Sequence, residues 1–268
     1  MIPDTPIKVC SDFSDHTAQY LARMSMQAYL SPASASFAYE KMGALKTIPI
    51  SIKQHQAYGV IFKDFIVFAF RGTENNFGDI LTGIDFKLSD ISNYNFAKCH
   101  TGFLKAAQQL APFVHEVISG HTHSFKAVYL TGHSMGGARA LLSAHLLEKT
   151  IDQKKIVYSY GAPRIGNKAL GRILQKSCLH YRVVNTADIV PNLPFRYMGF
   201  THSGTHCYLN LKGNISMNPS WQYLVMDQFL DILMGISKGF SRGIPARAYF
   251  RHRITDYIFR LRKVNFDA

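Results

Sequence analysis

The sequence predicts an α/β fold, a mostly parallel central sheet wrapped by helices. Three observations carry this. Beyond residue 57, short apolar runs alternate with segments whose apolar residues recur at helical spacing, the order that places helices between parallel strands. One run, Phe65-Ile66-Val67-Phe68-Ala69-Phe70, is apolar at every position, as in a strand covered on both faces. The pentapeptide Gly132-His133-Ser134-Met135-Gly136 falls between an apolar run and a helical stripe, so it marks a sharp strand-to-helix turn.

The elements follow in order. Residues 12–30 predict a first helix, with Phe13, Tyr20, Leu21, Met24 and Ala28 along one face. Residues 57–62 and 65–70 predict a hairpin around Lys63-Asp64. Residues 103–118 predict a second helix, with Ala107, Leu110, Ala111, Val114, Val117 and Ile118 as its stripe. A strand at 126–132, a helix at 135–149, a strand at 155–163, a short helix at 168–176 and a strand at 179–185 continue the alternation, and a late strand at 206–211 ends it. Residues 221–236 are apolar around most of a helix that Asp227 and Asp231 interrupt; burial in the core is the favoured expectation.

The 268 residues suffice for one large domain, and no repeat, low-complexity stretch or Pro/Gly/Ser-rich linker divides them, so a single domain over 1–268 is expected. The first ten residues lack a basic region followed by an apolar one, which argues against a cleavable signal peptide. The longest apolar run, Phe65 to Phe70, is far too short to cross a bilayer. Cys10, Cys99, Cys178 and Cys207 are scattered without a Cys-x-x-Cys pair, against a zinc site. Such thiols suit a reducing compartment. The expected location is therefore cytoplasmic, peripheral on a membrane, or outside by a route without a cleavable signal. A net charge of +13 attracts anionic surfaces in general. No nucleic-acid motif accompanies it, so no nucleic-acid partner is expected.

The pentapeptide carries chemistry. A serine hydroxyl pushed out of a cramped turn is reachable by substrate, and glycines two before and two after remove side chains that would collide there. The helix that begins behind Ser134 adds positive potential where an oxyanion forms. Serine is a weak nucleophile until a base in hydrogen-bond reach takes its proton, and the base needs an orienting partner. In sheets of this kind the chain order is Ser, then Asp or Glu, then His. Asp188 follows the strand 179–185 at its carboxyl edge. Three histidines come later, His202, His206 and His252. One oxyanion donor is the amide after the nucleophile, Met135.

Several motifs together resemble the class 3 lipase family. Ala69-Phe70-Arg71-Gly72-Thr73, His100-Thr101-Gly102-Phe103, Gly161-Ala162-Pro163-Arg164-Ile165-Gly166-Asn167, Asn185-Thr186-Ala187-Asp188-Ile189-Val190-Pro191 and Gly199-Phe200-Thr201-His202-Ser203-Gly204 are similar to family segments and occur in the family's order, over roughly residues 57–262. The resemblance implies an α/β-hydrolase fold, a Ser134–Asp188–His252 triad, carboxylic-ester hydrolysis of lipids and no metal or other cofactor. It favours His252 as base, because the family's triad histidine precedes a Tyr-containing helix near the C-terminus, and Ile254, Tyr257, Ile258 and Leu261 follow here on one face. His202 is the next candidate, although its family position is not the triad's. His206 stands where the family often has an acidic residue. Thr73 matches the position of the second oxyanion donor.

The resemblance also implies a lid over residues 74–90, where Phe77, Ile80, Leu81, Ile84 and Phe86 interleave with polar residues. The family's common lid tryptophan is missing, and Ile80 stands in its place. Lys238, Arg242, Arg247, Arg251, Arg253, Arg260, Arg262 and Lys263 form a basic cluster near the C-terminus. Such a cluster suits anionic lipid, but is more often only a solvated face. The expected substrate is a lipid ester, acylglycerol or phospholipid, with peripheral contact to an anionic membrane. The competing readings are a non-enzymatic basic module binding membrane or nucleic acid, and another acyl hydrolase, thioesterase or peptidase, on the same scaffold.

Overall fold

The computed structural model describes residues 6–73, 87–91, 94, 96–121, 125–148, 151–237 and 243–263. Its strands are β1 (Lys46–Ile52), β2 (His55–Ile61), β3 (Phe65–Phe70), β4 (Leu88–Asp90), β5 (Lys98–His100), β6 (Ala127–His133), β7 (Lys154–Tyr160), β8 (Leu179–Asn185), β9 (Thr205–Leu209) and β10 (Ile215–Met217). Its helices are α1 (Asp15–Gln27), α2 (Pro32–Lys41), α3 (Thr101–Ser119), α4 (Met135–Leu146), α5 (Lys168–Ser177), α6 (Trp221–Ser237), α7 (Gly243–His252) and α8 (Ile254–Lys263). Eight strands form one sheet in the order β1-β2-β3-β6-β7-β8-β9-β10. The middle is parallel, from β3 through β6, β7 and β8 to β9, and the two ends fold back as antiparallel hairpins. With helices on both faces, this is the α/β-hydrolase architecture.

The run Phe65–Phe70 shows why the sheet must be central. Ile66, Phe68 and Phe70 join the core layer under α3, α4 and α5, while Phe65, Val67 and Ala69 join the layer under α1, α2 and α8. Strand side chains alternate in direction, so an unbroken apolar strand demands cover on both faces. Every residue of β3 is buried.

Six elements had no sequence signal: β1, α2, β4, β5, β10 and α7. β1 lies at the sheet edge and contains Pro49, opposite Tyr58. An edge strand tolerates proline because one side of its ladder has no neighbour.

Helix α6 departs from its expected burial. Trp221, Val225, Met226 and Phe229 are 57% exposed or more. Asp227 and Asp231, the residues that interrupt the apolar run, are the ones turned inward. Asp227 accepts hydrogen bonds from Tyr208 Oη at 2.9 Å and the Leu211 amide at 2.8 Å. Asp231 pairs with Arg251 at 2.7 Å. Four residues apart, the two carboxylates share one helix face. Their charge-assisted bonds decide which face is seated, and the apolar residues are left outside. The expected C-terminal basic face is likewise divided. Arg251 and Arg260 are buried, and Lys238 and Arg242 lie outside the described residues. Most of the expected lid, 74–86, also lies outside them; residues 88–90 are strand β4. No described helix is long and apolar enough to cross a membrane.

Candidate active site

The turn that carries Ser134 stands at the sheet centre. β6 is buried along its length between β3 and β7, and α4 begins at the next residue after Ser134. Ser134 has φ 56° and ψ −130°, a region that costs a non-glycine residue about 1–3 kcal/mol and persists only where its surroundings enforce it. The surroundings are backbone. A Cβ on Gly132 would meet the carbonyl carbon of Gly136 at 2.3 Å, and a Cβ on Gly136 would meet the carbonyl oxygen of Phe70 at 2.3 Å. The Ser134 amide donates to the Tyr160 carbonyl at 2.9 Å, tying the turn to β7. The Ser134 hydroxyl is buried and makes no hydrogen bond among the described residues.

Asp188 follows β8 and is 1% exposed. The His252 Nδ1–H donates to its two oxygens at 3.1 and 3.0 Å. The Tyr257 hydroxyl donates to Oδ2 at 2.6 Å, and the Val190 amide to Oδ1 at 3.0 Å. The carboxylate thus closes an Asx-type turn and orients an imidazole at once. Of the three candidate histidines, the structure brings His252 to Asp188. His202 Nε2–H instead donates to the Pro191 carbonyl at 2.6 Å, and His206 lies on β9, its amide bonded to Asn218 at 2.9 Å. His252 stands at a junction between two helices, the second of which contains Tyr257. It is the last residue of α7, and α8 starts two residues later.

His133, the chain neighbour of Ser134, is in contact with His252. The His133 Nε2–H donates to the His252 carbonyl at 2.6 Å, and the two rings lie 4.6 Å apart. With Nε2 donating, Nδ1 accepts from the Tyr29 hydroxyl at 3.0 Å. Burial, and then the neighbouring His252, push the His133 pKa well below its usual range, so this ring is a neutral strut. The residue beside Ser134 thereby tethers His252.

The backbone around His252 is fixed by charge. Arg251 forms ion pairs with Asp231 at 2.7 Å and Asp256 at 3.1 Å. Asn185 Nδ2 donates to the Arg251 carbonyl at 3.0 Å and to Asp256 Oδ2 at 2.6 Å. Tyr257 accepts from the Asn185 amide at 3.0 Å while donating to Asp188. Burial first, and then the Asp188 charge, raise the Tyr257 pKa well above the ordinary phenol value, so it remains a donor. None of Asn185, Asp231, Asp256 or Tyr257 was singled out from sequence as part of a site. The available signal was composition: Asp231 inside an apolar helix, and a Tyr in the helix that follows His252.

Thr73 and Met135 line one cleft of about 530 Å³, together with Arg71, Gly72, Arg139 and the glutamines 54 and 56. The two expected oxyanion donors therefore share a wall with the start of α4. Among the described residues no group of histidine, cysteine and acidic side chains could hold a metal ion.

Residues 67–198 match the model of the class 3 lipases. The match takes in just under half of the chain, and over it the chain is similar to that family. The matched stretch includes Thr73, Ser134 and Asp188, whereas His252 lies beyond it and rests on geometry alone. Among curated relatives, a lipase of Rhizopus niveus is 35% identical over 153 residues, 54% of this chain and 38% of its own. A secreted mono- and diacylglycerol lipase of Fusarium solani is 35% identical over 134 residues, 45% of this chain and 40% of its own. The chain thus spans about two fifths of the length of those relatives. The crystal structure of a lipase from Rhizopus microsporus var. chinensis superposes with a TM-score of 0.66 at 24% identity, covering 82% of this chain and 84% of the other. At that identity the likeness speaks for the fold.

Proposed function

We propose that the chain acts as a class 3 lipase, hydrolysing carboxylic esters of lipids through a Ser134–Asp188–His252 triad and an acyl-enzyme. The observation that carries the reading is the join between a forced turn and a buried dyad. Ser134 protrudes from a backbone that admits no side chain around it, and the imidazole tethered to its neighbour is oriented by a carboxylate. His252 takes the Ser134 hydroxyl proton as the oxygen attacks the acyl carbonyl. The amides of Thr73 and Met135 hold the oxyanion, each donor contributing about 3 kcal/mol. His252 then protonates the departing alcohol. Water, deprotonated by the same imidazole, attacks the acyl-serine and releases the carboxylic acid while Ser134 regains its proton.

Two observations support a lipid as substrate. The relatives are named lipase and mono- and diacylglycerol lipase. The outward face of α6 carries Trp221, Val225, Met226 and Phe229 in a chain of net charge +13, which suits docking on an anionic membrane surface. Docking there would bring the protein to acylglycerol or phospholipid esters without a spanning helix.

A fluorophosphonate probe and a p-nitrophenyl ester series test the nucleophile. The wild-type chain labels and turns over. Ser134→Ala does neither, with kcat down at least about 10⁴-fold and the fold unchanged by circular dichroism. Turnover retained by that variant would sink the assignment.

A further inference from the structure

Beside the Asp188 loop, and apart from the elbow, β8 and β9 carry a second cluster of charged side chains. Arg182 on β8 and His206 on β9 are cross-strand partners. With Arg164, Arg196 and Thr201 they line a cavity of about 280 Å³ that Leu224 and Gln228 of α6 close on one side. Arg164 and Arg182 are each 8% exposed. Arg164 donates to the carbonyls of Asn192 and Pro194. Its Nε, however, has no partner among the described residues, and neither have Arg182 Nε, Thr201 Oγ1 and His206 Nε2, all of them buried.

No acidic side chain is among the described residues lining this cavity. Burial first, and then the neighbouring charge of Arg196 on Arg164 and of Arg164 on Arg182, bring both down to about 10, which leaves both guanidinium groups charged at neutral pH. Burial and Arg182 push His206 down to about 3, so it stays neutral. Buried cations without counter-charge are costly. The same molecule solves this for Arg251 with two buried carboxylates, and supplies none here. An adjoining cavity shares Arg196, Thr201 and His202 and adds Lys168 and Arg172, continuing the positive field outward.

We propose that this cavity is a binding site for a phosphate-class dianion, held by the guanidinium groups of Arg182 and Arg164 and by the Thr201 hydroxyl, with Arg196 at its mouth. Guanidinium forks match tetrahedral oxyanions, and three such charges without a carboxylate favour a divalent over a monovalent ion. The occupant also bears on the site next door. Arg164 holds the Asn192 and Pro194 carbonyls and His202 holds that of Pro191, so a filled cavity stiffens the loop that follows Asp188. The inference is independent of the reaction proposed above, because binding is read without turnover.

The probe is inorganic phosphate, titrated at constant ionic strength into the full chain, with Tm and ³¹P line width as readouts. A saturable rise in Tm of about 5 °C is expected, with chloride at matched ionic strength giving none. Arg182→Met weakens phosphate binding at least about tenfold and is as stable as wild type, or more so, in phosphate-free buffer, because it removes an uncompensated charge. His206→Glu places a carboxylate opposite Arg182, raises Tm without phosphate and abolishes the response. It serves also if Arg182→Met fails to fold. Vesicles bearing phosphatidic acid, compared with glycerol 3-phosphate and inorganic phosphate, distinguish a lipid headgroup from a free ion, and a response confined to either source supports the site. No saturable response to any of the three, or the same response in His206→Glu, overturns it.

Discussion

Two regions meet at the site and are held by different forces. The turn at Gly132–Gly137 is shaped by contact. Glycines leave room for backbone 2.3 Å from where a side chain would begin, and Ser134 is strained because nothing else fits. The segment around His252 is shaped by charge, through Arg251 between Asp231 and Asp256, Tyr257 on Asp188, and His133 on the His252 carbonyl. The comparison teaches that a nucleophile can be set by a few adjacent residues. A base carried on separate helices needs partners gathered from β8, α6 and β6.

The contrast can be tested by breaking each side. The largest loss is expected from Arg251→Met, which strands Asp231 and Asp256 without their cation. It should cost about 3–5 kcal/mol in urea unfolding, and the double variant Arg251→Met/Asp231→Asn should recover part of that. Full stability in the single variant would mean that charge does not hold this region. Gly136→Ala strikes the contact-held side and should cost about 3 kcal/mol, with serine labelling lost along with stability; an unchanged Tm would contradict the steric account. Tyr257→Phe removes the hydrogen bond to the buried Asp188 carboxylate, about 1.5–3 kcal/mol, together with the acceptor of the Asn185 amide. It should lower kcat more than it raises KM, because it loosens the orientation of His252; a pure KM effect would count against that role. The smallest change in stability, within about 0.5 kcal/mol, is expected from Phe229→Asp on the outward face of α6. Its effect should appear as weaker co-sedimentation with anionic vesicles, and unaltered binding would argue that α6 faces something other than a membrane.

The same division explains what was legible beforehand. Ser134 and the strands flanking it follow from spacing, since Gly-x-Ser-x-Gly between an apolar run and a small-residue helix admits few geometries. Asp188 follows from its position at a strand end. His252 could not be separated from His202 and His206 by spacing; resemblance favoured it, and the Asp188 contact now distinguishes it. The burial of α6 was read the wrong way round because apolar content along a helix does not say which face is seated. Two carboxylates with buried partners outweighed the apolar residues, and those partners, Tyr208 and Arg251, stand on other elements.

By itself the sequence determined the alternation of strands and helices, the two-sided cover of β3 and the cramped turn at Ser134, because each depends on residues a few positions apart whose periodicity and size act locally. Only the tertiary structure decided which histidine meets Asp188, that His133 and Tyr257 brace the pair, that α6 turns its acids inward, and that Arg164 and Arg182 share a cavity without a counter-charge. Those outcomes depend on which buried charges find partners from distant segments, and no local pattern encodes that.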